Sequence, residues 1–398
     1  MEKTEVRKLS VAGVVCEFNP FHRGHQYLLD TLRQKGADTI VCAMSGNFVQ
    51  RGDVAIADKA TRAEMAVRCG ADLMLELPTP WAMATAETFA KGGVELLAMA
   101  GCDTIAFGSE CGDIDALQRV AEVLSDESIM STMRSHLQSG ITYAKARQLA
   151  VEERLGDLAQ LLEQPNNILA VEYLKAIRRL KVDIKPITIF RIGAEHNGEA
   201  VGDIASASYL REMIKSGKTV DHYLPSAVAE ALQRAKEQGN YPVDITLCER
   251  AILAKLRTMR EDEFAAYDLG GEGLYHRLYS AVQQAATLDE VLTLAKTKRY
   301  PMARLRRMIL SAWLGMSETP EKVPYLRVLA ANEQGRMHLR ILQNSGAPVL
   351  TKPADVGNLG AEAEKLFREE CMRTDQYTLC KLKPSPAGTD WRLTPKMI

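Results

Sequence analysis

His22 and His25 stand three residues apart around Arg23-Gly24, inside the stretch Cys16–Leu29 that reads CEFNPFHRGHQYLL. Two imidazoles at that spacing in the first turn of a helix can project to one side and offer ring N–H donors. Gly24 between them leaves room for a ligand to approach the backbone closely. A helix N-terminus adds unpaired N–H groups and partial positive charge. Together these groups are suited to gripping phosphate oxygens. A tight turn serving only packing requires none of them, so a nucleotide phosphate is the ligand expected at this joint.

Two further stretches carry polar side chains in unusual density. SGNFVQRGDVAIADKATRAEMAV holds Asn47, Gln50, Arg51, Lys59 and Arg62. The segment GNFVQRGD is too long and too rich in glycine and polar residues for a simple turn, which favours a functional loop. KTKRYPMARLRR contains Lys296, Lys298, Arg299, Arg304, Arg306 and Arg307, no acid, and Tyr300 in its middle. Such a local excess of cations around one aromatic suits nucleic-acid phosphates and a stacked base. Arg178–Lys181 (RRLK) is a secondary candidate for the same surface, whereas His136, His222, His276 and His338 have no partners in sequence and read as structural.

The elements that must position these residues alternate. Val11–Phe18 is apolar on both faces, as a buried parallel strand should be, and Asn19-Pro20 turns it into a helix that stops at Gly36. Further strands are expected at DTIVCAMSGN, ADLMLELP, CDTIAFGSE and IKPITIFRIG, separated by helical patterns that include Asn166–Leu180. Repeated βα units imply right-handed crossovers and a Rossmann-like, doubly wound parallel sheet, with ligands at the carboxyl ends of its strands. Beyond about Asp244 the patterns are mainly helical, and PYLRVLAANEQGRMHLRIL is ambiguous between strand and helix. The turn signal QGNYP sets an expected boundary near Gly239, giving a catalytic domain over 1–239 and a mainly helical domain over 240–398.

Composition narrows the function classes. The 398 residues carry a formal net charge of −1, so any polyanion site must come from local clustering rather than a basic surface overall. The eight cysteines (Cys16, Cys42, Cys69, Cys102, Cys111, Cys248, Cys371, Cys380) form no C-x-x-C pair, which disfavours both a disulfide framework and a zinc site. The polar start MEKTEVRKLS and the lack of any apolar run near twenty residues point to a cytoplasmic, reduced protein with no membrane contact.

H-x-G-H after a buried strand resembles the signature of the nucleotidyltransferase-type α/β superfamily, whose members cleave ATP between the α- and β-phosphates. IASASYLR (Ile204–Arg211) stands where that superfamily carries I-S-x-T-x-x-R, with Ser208 in place of the threonine. The resemblance makes His22, His25, Ser208 and Arg211 the expected catalytic set. Longer blocks narrow it further: EFNPFHRGH, MSGNFVQRGDVAIADKATRAEMAVRCGADLMLELP, FGSE, QPNNILAVEYLKAI and TKRYPMARLRRMIL together resemble the bacterial tRNA(Met) cytidine acetate ligase family over most of the chain.

That resemblance implies an enzyme that uses ATP, with Mg²⁺, to convert acetate to acetyl-adenylate. The acetyl group then passes to N4 of the wobble cytidine, position 34, of elongator tRNA(Met). It implies an ATP site over Val15, Cys16, Glu17, Phe18, Asn19, Pro20, Phe21, His22, Arg23, Gly24, His25, Gln26, Tyr27 and Leu28, continued at Gly108, Asn166, Asn167, Arg191 and Ile192. Asn47, Gln50, Arg51, Lys59 and Arg62 are assigned to the acetate or base pocket, and the six cations from Lys296 to Arg307 to tRNA. No resident metal ligands are assigned, and the oligomeric state is left open, a homodimer included. Two other classes compete: a small-molecule adenylyltransferase, and a non-catalytic ATP-dependent RNA-binding factor. The basic helical region argues against the first, because a small metabolite has no use for it.

Overall fold

The structure is a computed structural model, and it describes residues 11–191, 200, 202–268 and 273–398. The first part of the chain runs β1 (Val11–Cys16), α1 (Arg23–Gln34), β2 (Thr39–Ser45), β3 (Phe48–Val49), β4 (Asp53–Val54), α2 (Lys59–Arg68) and β5 (Leu73–Leu77). It continues with α3 (Thr79–Ala82), α4 (Ala86–Met99), β6 (Thr104–Ser109), α5 (Ile114–Ser125), α6 (Ile129–Gln138), α7 (Tyr143–Leu155), α8 (Pro165–Leu180) and β7 (Lys185–Phe190). Then follow α9 (Ala207–Lys215) and α10 (Ser226–Glu237).

Strand order in the parallel core is β5-β2-β1-β6-β7. The chain steps from β1 to β2 on one side and later to β6 on the other, so the order reverses beside β1. In an open α/β sheet the crevice at that reversal is where ligands bind. Side chains of β2 alternate between the two faces: Ile40, Cys42 and Met44 join one core, Val41 and Ala43 the other. The first core is covered by α1, α2, α9 and α10, the second by α4, α5, α8 and later helices.

Past the expected boundary, α11 (Glu249–Arg257), α12 (Glu261–Ala265), α13 (Leu274–Gln284), α14 (Leu288–Ala295) and α15 (Met302–Leu314) share a separate core around Ile252, Leu256, Leu278 and Leu305. The chain then returns to the sheet. β8 (Leu326–Ala331) pairs antiparallel with β5, β9 (Val349–Leu350) and β10 (Lys396–Met397) pair parallel with β8, and α16 (Glu333–Asn344), α17 (Ala361–Thr378) and α18 (Thr389–Arg392) lie between them in sequence. The sheet is therefore mixed at one edge rather than parallel throughout. Residues 240–398 comprise a purely helical unit as far as Met316 and, beyond it, strands β8–β10 that extend the sheet together with helices α16–α18. The ambiguous stretch resolves into β8 and α16: all six β8 residues are buried, which removes the alternation that marks a half-exposed strand. Among the described residues no helix is long and apolar enough to cross a membrane.

Candidate active site

A cavity of about 560 Å³ opens at the carboxyl ends of β1 and β6, at the sheet's reversal point. His22, the N-cap of α1, is extended (φ −141°, ψ 173°), and its Nδ1 accepts the Gly24 N–H at 3.1 Å. His25 Nδ1 in turn accepts the His22 N–H at 3.3 Å. The rings stack with centroids 3.7 Å apart. With both Nδ1 atoms accepting, each neutral ring carries its proton on Nε2, so the pair presents two N–H donors side by side. Burial, then Arg191 and Arg211, lower the His22 pKa to about 3; burial, then His22 and Arg191, lower that of His25 as well. Both rings are therefore neutral donors at neutral pH, and the cavity's positive charge comes from arginine.

Gly24 serves a different neighbour from the one expected. A Cβ there would lie 3.0 Å from His22 Cε1, so the open space is taken by the imidazole of its own turn. Phe18, buried with φ +46°, holds the chain in a left-handed bend where β1 ends, with its ring 4.9 Å from that of His25.

Arg211 and Ser208 come from the first turns of α9. Ser206 caps that helix by accepting the Tyr209 N–H. Ser208 does not cap; its Oγ accepts from Arg211 Nη2 at 3.1 Å and Arg51 Nη1 at 3.2 Å. Arg211 Nη1 also donates to the Asn19 carbonyl at 2.7 Å, tying α9 to the end of β1. Arg191 lies in the same wall, and its Nε is buried without a hydrogen-bond partner. Arg51, Arg191 and Arg211 thus converge with two neutral imidazoles, and an oxyanion with several negative oxygens is the ligand that such a wall stabilises.

Of the first-loop residues, Val15, Cys16, Glu17, Phe18, Asn19, His22, His25 and Leu28 line the cavity, as do Gly108, Asn166 and Arg191. Gly24 and Tyr27 line a smaller recess beside it. Pro20 and Phe21 lie behind the wall, Gln26 bonds Cys69 and Asp30, and Arg23 bonds the His222 carbonyl. Asn167 is buried, and its Oδ1 accepts from the Glu110 and Cys111 N–H groups. Ile192 lies outside the described residues.

In the second loop only Gln50 and Arg51 reach the cavity. Asn47, Lys59 and Arg62 do not, which corrects their assignment to the pocket. Asn47 accepts the Lys59 N–H and donates to Thr374. Lys59 Nζ is buried against Glu76 (2.6 and 2.9 Å) and Asp390 (2.7 Å), and Arg327 bonds the same two carboxylates. Arg62, fully buried, donates to the carbonyls of Glu17, Ser45, Gly46 and Ala57. These cations hold the loops behind the wall in place.

Glu110, Phe89, Leu169 and Tyr173 line the cavity and were not singled out from sequence. Phe89, Leu169 and Tyr173 sit in amphipathic helices, where a buried apolar residue reads as ordinary core; Glu110 had a signal, its place directly after β6. Its carboxylate accepts from the Asn166 and Asn167 N–H groups and so caps α8. In the basic run, Lys296, Lys298, Arg299 and Arg306 are exposed. Arg304 bonds Asp268 at 3.1 Å and lies over the Tyr300 ring, and Arg307 donates to the Gln50 carbonyl at 3.1 Å.

Residues 9–390 match the HIGH Nucleotidyl Transferase family. A tRNA(Met) cytidine acetate ligase of Thermoanaerobacter sp. (strain X514) is 36% identical over 397 residues, 96% of this chain and 98% of that protein. One of Syntrophotalea carbinolica is 38% identical over 93% of this chain and 90% of that protein. The chain belongs to the tRNA(Met) cytidine acetate ligase family. The crystal structure of Thermotoga maritima TmcAL in its apo form superposes with a TM-score of 0.91, at 29% identity over 98% of this chain and 100% of that one. The same enzyme bound with alpha-thio ATP gives 0.90 at 28% identity, with the same coverage. Membership of this ligase family agrees with a phosphate-binding wall built around H-x-G-H.

Proposed function

We propose that the protein activates acetate with ATP as acetyl-adenylate and transfers the acetyl group to N4 of the wobble cytidine, position 34, of elongator tRNA(Met). The observation that carries the first half is the wall of paired Nε2–H donors from His22 and His25 beside Arg51, Arg191 and Arg211. Membership of the ligase family carries the choice of acetate and tRNA.

Acetate is a poor acyl donor because oxide would have to leave. Attack of its carboxylate oxygen on the α-phosphorus breaks the α–β bridge, releases pyrophosphate and gives the acetyl group a phosphate leaving group. The two imidazoles donate to phosphate oxygens without adding charge, while Arg191 and Arg211 offset the charge that develops on α-phosphate and pyrophosphate. Ser208, held between Arg51 and Arg211, orients both guanidinium groups. In the second half, the cytidine amine attacks the acetyl carbonyl, AMP leaves, and one proton is lost from nitrogen. No covalent enzyme intermediate is needed, so catalysis is positioning and electrostatics.

Mg²⁺ fits as an ion carried in by the nucleotide, where it would neutralise phosphate charge. Among the described residues no three His, Cys, Asp or Glu side chains converge to cage an ion, and Glu17 and Glu110 are the carboxylates that line the cavity. The exposed cations Lys296, Lys298, Arg299 and Arg306 are the proposed tRNA contacts. A cytoplasmic location belongs to this proposal, since the substrate tRNA is there. Acetate-dependent exchange of labelled pyrophosphate into ATP, in the absence of tRNA, tests the activation step. Exchange that needs no acetate, or none at all from protein that binds ATP, would overturn it.

A further inference from the structure

The β3–β4 hairpin belongs to two parts of the molecule. Its root is built into the helical unit: Phe48 and Val54 lie in that unit's core, with the Phe48 ring 6.4 Å from Trp313 and 6.0 Å from Tyr377. Its tip, Gln50-Arg51, lines the cavity. Each strand is only two residues long, too short to fix the tip by its own ladder.

The tip is held instead by a chain of hydrogen bonds through one peptide. Gln50 N–H donates to Glu17 Oε1 at 2.9 Å, and Arg307 Nη1 donates to the Gln50 carbonyl at 3.1 Å. The next residue's guanidinium reaches Ser208 at 3.2 Å. Gly52, with φ +72°, packs against the middle of α15, where a Cβ would come 2.5 Å from the Arg307 backbone nitrogen. Arg307 itself is partly buried and lines no part of the cavity. By sequence it belongs to the basic run; by geometry it is committed to the loop that completes the phosphate wall.

We infer that Arg307 is a positioning residue for acetate activation rather than a tRNA contact: it fixes the Gln50 peptide and, through it, Glu17 and Arg51 at the reacting end of the cavity. The inference rests on the proposed activation of acetate at this site. Misplacement of reacting groups by about 1 Å costs on the order of a hundredfold in rate, so loss of this tether should be felt in turnover. It should be felt far less in ATP affinity, because His22, His25, Arg191 and Arg211 keep their places in the wall.

The test is acetate-dependent pyrophosphate exchange by the full-length protein without tRNA, with tRNA(Met) affinity measured separately. Arg307→Ala should lower kcat for exchange about tenfold or more, with the KM for ATP and the affinity for tRNA each within about twofold of wild type. Arg307→Lys, which keeps a cation able to reach the carbonyl, should recover part of the loss. Gly52→Ala, which removes no cavity group, should reproduce it. Normal exchange with weakened tRNA binding in Arg307→Ala overturns the inference and returns the residue to the tRNA surface. A loss that raises the KM for ATP equally and is not relieved by lysine marks general damage and overturns it too. Absence of exchange in the wild type would instead bring down the proposed activation step, and this inference with it.

Discussion

The histidine pair makes the site acid-sensitive, and His22 gives the size of the effect. The residue is 4% exposed and its pKa falls from 6.5 to about 3 in the folded chain, through burial first and then Arg191 and Arg211. The unfolded chain therefore binds more protons than the folded one between those two values. Stability from the neutral ring is fully present above pH 6.5 and is lost as the pH falls toward 3. At pH 5 the loss from this residue is about 2 kcal/mol, from 1.36 kcal/mol per pH unit below the free value. His22→Asn keeps a side-chain acceptor for the N-cap but cannot take up the proton. Urea unfolding, followed by tryptophan fluorescence at pH 7 and pH 5, should show wild type losing about 2 kcal/mol more than the variant over that interval. His25 shifts in the same direction and remains in both proteins, so the difference isolates His22. Equal losses in the two proteins would refute the neutral state of the buried His22 ring and the donor geometry built on it.

Other consequences can be measured in the same material. His25→Ala removes one of the paired Nε2–H donors and should cut acetate-dependent pyrophosphate exchange about a hundredfold, with tRNA affinity unchanged by filter binding. Joint replacement of the exposed Lys296, Lys298 and Arg299 by alanine should weaken tRNA binding and reduce its salt slope by about 2 to 3, leaving exchange intact. Lys59→Met leaves Glu76 and Asp390 facing each other with only Arg327 between them; it should destabilise the protein by about 3–5 kcal/mol in urea unfolding, without lining a site that binds ligand.

Much of the site was legible because its signals are local. The apolar run into Asn19-Pro20, the histidine spacing, and the serines at the start of α9 all act within one turn of themselves, and the structure brings His22, His25, Ser208 and Arg211 to one wall. Gln50 and Arg51 were found for the same reason, as polar tips of an unusually long loop. Lys59 and Arg62 carry the same local signal and do something else. Lys59 is neutralised by Glu76, 17 positions on, and by Asp390, 331 positions away, and Arg62 is satisfied by backbone carbonyls from several segments, so burial decided their role. β8 was ambiguous because a strand buried on every residue has no period, and its partner β5 lies some 250 positions earlier. Arg307 was read with its basic neighbours because charge is visible in a sequence and a hydrogen bond to the Gln50 carbonyl is not.

Acetyl transfer to the tRNA is tested most directly by the nucleoside product. Purified protein is incubated with ATP, Mg²⁺, labelled acetate and unmodified elongator tRNA(Met), and the RNA is digested to nucleosides. Label should appear in N4-acetylcytidine from position 34, dependent on ATP and lost in His25→Ala. Unlabelled cytidine from a folded protein that binds both ATP and the tRNA would contradict it.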